Sequence, residues 1–215
     1  MNLRAAIRSL ATVVIVLTGL SARADVGEEV LHLQTRWAEV NYQLEGKTQV
    51  AAFEQLVNEA EAAAKAAPDS AEVLIWSGII RSTYAGAKGG LGALGIAKAA
   101  RKDFENAMRL DANALDGSAY TSLGILYHSV PGWPVGFGDD ARAEELLRTG
   151  VEKNPEGIDN NYFYAIYLAD EKLYAEAEAY LLRAQAAPAR PGRAIADLGR
   201  QREIMAALEQ VRSEL

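Results

Sequence analysis

Three times the chain spells the same short phrase: a small residue, a large apolar one four places on, and a second small residue three places later. Ala100, Phe104 and Ala107 make the first, Ala143, Leu147 and Gly150 the second, and Ala177, Leu181 and Ala184 the third. Offsets of four and seven put each trio on one face of an α-helix. Small residues there let a second helix come close, and the large one fills the space between them. Each phrase ends at a breaker: Asp111 to Asn113, Asn154-Pro155, and Ala187-Pro188. A unit of this kind cannot bury its apolar face alone, so the units must stack.

Upstream of each phrase lies a second helical pattern in which a small residue follows Ser77, Leu123 or Tyr164, namely Gly78, Gly124 and Ala165. Arg81, Tyr127 and Leu168 follow three places later. The whole stretch is rich in Ala, Leu and Glu and lacks alternating β-branched runs, so it reads as helix throughout. Ala165 and Ala177 stand 12 residues apart; Gly124 and Ala143 stand 19 apart, and Gly78 and Ala100 stand 22 apart. The second and third units therefore carry insertions of 10 and 7 residues. The pattern resembles the tetratricopeptide (TPR) repeat, a helical hairpin of about 34 residues with a small-large-small code and a closing Pro. The resemblance implies an all-α fold over 25–215, a right-handed superhelix of about four hairpins. The first, Glu28 to Pro68, has two helices and the closing Pro without a clean code, and Ala194 to Arg212 makes a solvated capping helix.

Residues 1–24 stand apart from this pattern. Arg4 and Arg8 precede an apolar run from Leu10 to Leu20, and Ala22-Arg23-Ala24 places small residues where a signal peptidase reads. The run falls short of the roughly 20 residues needed to span a bilayer. A cleaved signal peptide is expected, with the chain starting at Asp25, free of a stable membrane anchor and located in the bacterial periplasm. The leader holds Arg4, Arg8 and Arg23 and no acid, so its loss takes the net charge from −7 to −10.

That acidity argues against nucleic acid, because phosphate binding needs a basic face. The absence of cysteine removes disulfides, thiolate nucleophiles and Cys-ligated metals. Two histidines, His32 and His128, are too few for a His-based metal or catalytic cluster. Gly90-Leu91-Gly92-Ala93-Leu94-Gly95 spells a dinucleotide fingerprint, but that mechanism needs a preceding strand, and here a helix precedes it. It reads as a flexible or tightly packed insertion. No catalytic residue, cofactor or metal is expected. Asp170-Glu171-Lys172 reads as a solvated turn.

The register implied by the repeat lines a concave groove with residues three before, one after and four after each small residue of the first helix. These are Ile75, Ile79 and Ser82, then Thr121, Ile125 and His128, then Tyr162, Ile166 and Ala169. Such a groove is mostly apolar and poor in Lys and Arg, suited to an apolar small ligand or the apolar face of a partner protein's helix. The insertion from Val130 to Asp140, with Trp133 and Phe137, has two readings: a compact plug with Asp139 or Asp140 capping the next helix, or a lip over the groove. Export, four hairpins and the Pro131-Gly132-Trp133-Pro134 and Asn154-Pro155 segments together resemble the T component of tripartite (TRAP) transporters. That resemblance implies a scaffold or binding protein accessory to a solute transporter. The rival expectation is a helical-repeat enzyme with its site at the Trp133 loop.

Overall fold

Ser70 accepts the Val73 amide at 3.2 Å and so starts a helix just after the Pro68 break, and the same logic of cap and breaker organises the rest. The computed structural model describes residues 26–215, so the leader expected at 1–24 lies outside the described residues. Among the described residues there are nine helices and no strand. They are α1 (26–43), α2 (Gly46–Ala66), α3 (Ala71–Lys88), α4 (Gly90–Leu110), α5 (Ala114–Ser129), α6 (Asp140–Lys153), α7 (Ile158–Asp170), α8 (Tyr174–Ala186) and α9 (Ala194–Ser213). Four hairpins result, α1–α2 to α7–α8, and α9 packs on α8 and α7. The first helices of successive hairpins, α3, α5 and α7, touch one another and α9 touches α7.

The small-large code explains each hairpin seam. A Cβ on Gly78 would stand 2.5 Å from the Phe104 ring, and one on Gly124 would stand 2.8 Å from Leu147 Cγ. Ala165 and Leu181 are both fully buried in one cluster. In these three units the small residue of the first helix receives the large residue of the second. The expected all-α stack of four hairpins stands.

The two insertions are built differently. The glycine run is not a loop, because its apolar residues keep helical spacing with the repeat phrase: Ala93, Ala97, Ala100, Phe104 and Ala107 share one stripe. The 10 extra residues therefore lengthen α3 and α4, leaving Gly89 alone between them at a φ of 61°. The other insertion is the compact loop. Gly138 donates its amide to the Pro131 carbonyl at 3.0 Å, and any Cβ at Gly136 or Gly138 would overlap the Val130-Pro131 backbone. Asp139 caps α6 through the Arg142 amide at 3.0 Å.

The larger departure concerns α9. Expected as a solvated cap, it buries Ala196, Gly199, Arg200, Ile204, Leu208 and Val211 on one face. Ile204, Leu208 and Val211 pack with α7 and α8. Ala196 joins the core of α1, α2 and α3, and Gly199 gives its missing side chain's space to the Tyr42 ring. The solenoid thus curls until its last helix meets its first.

Candidate ligand cavity

Between the curled ends lies a concave cavity of about 410 Å³. Its wall draws on α1 (Trp37), α3 (Trp76, Ile79), α5 (Thr121, Ser122, Ile125), α7 (Asp159, Asn160, Phe163) and α9 with the segment before it (Arg190, Arg193, Arg200). A second cavity of about 440 Å³ adjoins it, formed by Ala93, Leu94 and Ala97 of α4, Leu126 of α5, and Pro131 and Val135 of the loop. The two share Ser82, Thr83, Ile125 and Phe163, so they form one groove with a polar half and an apolar half.

The polar half is organised by Asp159 in the first turn of α7. Its carboxylate accepts from Arg190 Nη1 at 2.5 Å and from Arg200 Nε at 2.8 Å. Arg190 also donates Nε to Asp197 at 2.7 Å, and Arg200 donates Nη1 to Glu203 at 2.5 Å. Burial alone would raise the Asp159 carboxyl, but the guanidiniums of Arg200 and Arg190 outweigh it and hold the group well below the usual carboxylate range. Arg200 also lies over the rings of Tyr162 and Phe163, at 4.4 and 4.5 Å. Arg193 is different. Its guanidinium lies 4.9 Å from the Trp76 ring, and among the described residues no carboxylate comes within 4 Å of it. Burial, reinforced by the charge of Arg190, pushes it down to about 10.

On α5 the wall begins with a left-handed turn, Leu115, Asp116 and Gly117, at φ of 47°, 55° and 75°. Non-glycine residues hold that conformation at a cost of about 1–3 kcal/mol each, and here the turn brings Leu115 and Asp116 to the cavity. Asn160 fixes the neighbouring wall by donating to the Thr121 hydroxyl at 2.8 Å and the Gly150 carbonyl at 2.9 Å.

Of the expected groove residues, Ile79, Ser82, Thr121 and Ile125 line this groove. The others lie elsewhere. Ile75 is fully buried with Ala107, Ala114 and Ala119, and Tyr162 lies under Arg200. Neither Ile166 nor Ala169 borders either cavity, because the groove ends at Phe163 on α7. Trp133 is 90% exposed at the loop tip. Phe137 anchors the loop instead, edge-on to Tyr127 at 5.6 Å and beneath the Arg101 guanidinium at 4.6 Å. His128 sits on the outer edge, its Nδ1 2.9 Å from Asp140 and its Nε2 2.8 Å from Asp170. Asp170 is therefore a partner of His128 and not only part of a solvated turn.

The error in register has one physical form. The stripe facing the groove runs two before, one after and five after the small residue: Trp76, Ile79 and Thr83 on α3, then Ser122, Ile125 and Ser129 on α5. The position three before is turned one residue's rotation toward the hairpin seam, so Ile75 is inaccessible and Thr121, though it borders the cavity, is almost fully buried. Ser82, four after on α3, stays at the groove beside Thr83. The expectation of a groove poor in Arg fails for another reason: Arg190, Arg193 and Arg200 arrive from α9 and the turn before it, not from the repeats.

No family model matches the sequence, and no curated protein matches it. Solved structures do resemble it. TTC0263, described as a thermophilic TPR protein in Thermus thermophilus, superposes with a TM-score of 0.53 at 19% identity, over 76% of this chain and 84% of that one. A structure of PilF from Pseudomonas aeruginosa gives a TM-score of 0.36 at 13% identity, over 90% of this chain and all of that one. With the code-bearing seams and the stacked first helices, the first of these likenesses establishes the architecture: the chain is a helical-repeat solenoid of the tetratricopeptide fold.

Proposed function

We propose that this chain is a non-catalytic binding protein of the bacterial envelope that holds a small molecule in its concave groove. One observation carries the reading. α9 closes the curl against α1, so the concave face holds a cavity of small-molecule size where an open solenoid would offer a trough. α9 and the turn before it wall one end of that cavity with Arg190, Arg193 and Arg200. In this reading the leader at 1–24 delivers the chain to the periplasm, and a protein partner, such as the receptor or membrane part of a solute transporter, meets the outer surface.

Native mass spectrometry of protein purified from its own envelope tests the claim. The expected spectrum carries a bound small molecule, and amino-terminal sequencing reads Asp25. Ile125, shared by both halves of the groove, supplies the control: Ile125→Glu should empty the protein while leaving it folded. Leu123→Ala, two residues away in the core, should keep the ligand and lose about 2–5 kcal/mol of stability. A ligand-free wild type, or Ile125→Glu unfolding as badly as Leu123→Ala, defeats the reading. An intact Met1 on membrane-bound protein defeats its location.

A further inference from the structure

Two donors in the groove wall have nothing to donate to. Trp76 Nε1 is buried without a hydrogen-bond partner, whereas its neighbour Trp37 donates Nε1 to the Thr83 hydroxyl at 3.0 Å. Arg193 Nε is buried without a partner as well, and no side-chain hydrogen bond of Arg193 exists among the described residues. Both residues line the cavity, one against the other. The two orphaned N–H groups lie behind its surface, and the outer Nη groups of Arg193, also without a partner among the described residues, are the part of the guanidinium that is not closed off. Buried donors of this kind are nearly always satisfied, and a guanidinium fork is shaped for an oxyanion.

The surrounding acids do not supply that oxyanion. Asp159 and Asp197 place their oxygens on Arg190 and Arg200, and Glu203 places its own on Arg200 and Tyr42. They do set the charge. Three arginines face three acids in this cluster, and Glu156 and Asp116 also stand on the wall. The attraction for an anion is therefore local to Arg193, the arginine without a carboxylate within 4 Å among the described residues, and the surrounding acids oppose a second negative charge. The adjoining half is walled by Ala93, Leu94, Ala97 and Val135, which neither donate nor carry charge.

Resting on the small-molecule reading above, we infer that the groove takes a singly charged organic acid, its carboxylate on Arg193 beside Trp76 and its apolar body among Ala93, Ala97 and Val135. The carboxylate accepts from the guanidinium, and burial of both in a partly desolvated wall makes the pairing stronger than at a surface.

Titration of the purified full chain with octanoate, 1-octanol and octyl phosphate, followed by calorimetry and by tryptophan emission, tests this. Octanoate should bind saturably and alter the emission, octanol should bind more weakly, and dianionic octyl phosphate should bind no better than octanol. Arg193→Gln should weaken octanoate by about tenfold or more and leave octanol unchanged. Arg193→Lys, which keeps the charge and so guards against misfolding, should lose part of the octanoate affinity, and Trp76→Phe should lose a smaller part. Equal octanoate affinity in wild type and Arg193→Gln overturns the inference while the small-molecule reading survives. So does octanol or octyl phosphate binding as tightly as octanoate. A protein that binds none of the three overturns the carboxylate inference, and a neutral ligand found by native mass spectrometry does so with the binding function intact.

Discussion

The seams between paired helices and the wall of the groove are built from the same hairpins by opposite chemistry. Along the seams, Gly78 against Phe104, Gly124 against Leu147 and Ala165 against Leu181 repeat one apolar fit three times. Across the groove nothing repeats: Asp159 is unique to α7, and its partners Arg190 and Arg200 belong to no hairpin. A seam is decided by residues a fixed distance apart in one unit. The groove wall is decided by how far the solenoid curls, and hence by contacts between residues of α1 and α9, such as Tyr42 and Glu203. The repeat therefore supplies the frame, and the departure from it supplies the site.

The largest effect expected is at a seam. Phe104→Ala empties the space that Gly78 was kept small to receive, and should cost about 3–5 kcal/mol in denaturant unfolding. The next is in the groove. Arg200, 6% exposed, holds Asp159 and Glu203 together, and Arg200→Met leaves Asp159 to Arg190 alone and Glu203 to the Tyr42 hydroxyl. Buried pairs broken outright cost about 3–5 kcal/mol, and the Arg190 and Tyr42 contacts that remain, with the cavity beside Asp159, bring the expected loss to the lower end or below it. The two variants should also differ in kind. Phe104→Ala should lose stability equally at all pH values. In Arg200→Met the loss should shrink in acid: the low Asp159 pKa stabilises the wild type above the unfolded carboxylate range, and that advantage disappears as pH falls through the folded value. Identical pH profiles would erase the distinction between seam and groove.

What could be read in the sequence follows the same division. Ala100, Ala143 and Ala177 announced the hairpins because each acts on its own helix pair. The glycine run from Gly86 to Gly95 misleads, since glycine costs about 1 kcal/mol per helical position, yet the spacing of Ala93, Ala97 and Ala100 already carried the helix through it. Trp133 misleads by its size: an aromatic residue among prolines and glycines reads as part of a plug or as a lip, and the loop's tight turns instead point it outward. Arg193 and Arg200 could not be assigned, because no local pattern tells that a terminal helix will return to the first one. The nearest signal was the period-four series Ala196, Arg200, Ile204, Leu208, which marks Arg200 as sharing the buried face of α9.

A smaller effect sharpens the seam side. Ala177, fully buried opposite α7, should not accept a larger residue: Ala177→Leu should overpack the fourth hairpin and cost about 1–3 kcal/mol by thermal or denaturant melting. A neutral result would mean that the small position is not a seam position, and the equivalence among the three hairpins would fall with it.

The smallest effect belongs to His128, which joins three helices outside both regions. It lies at the end of α5, and its partners Asp140 and Asp170 open α6 and close α7. Burial works against its protonation, but the hydrogen bonds to Asp170 and Asp140 prevail and raise it above the ordinary imidazole value. A group raised on folding stabilises most below its unfolded pKa of about 6.5, and loses that contribution as pH rises through the folded value. Asp140 and Asp170 are 65% and 60% exposed, so water and salt screen the pairs and keep the contribution below about 1 kcal/mol. Melting temperatures taken from about pH 6 upward should therefore fall slightly more in the wild type than in His128→Gln, with the difference closing in high salt. Parallel curves would mean that the imidazole is held by its edge-on contact with Tyr167 at 5.2 Å, and not by charge.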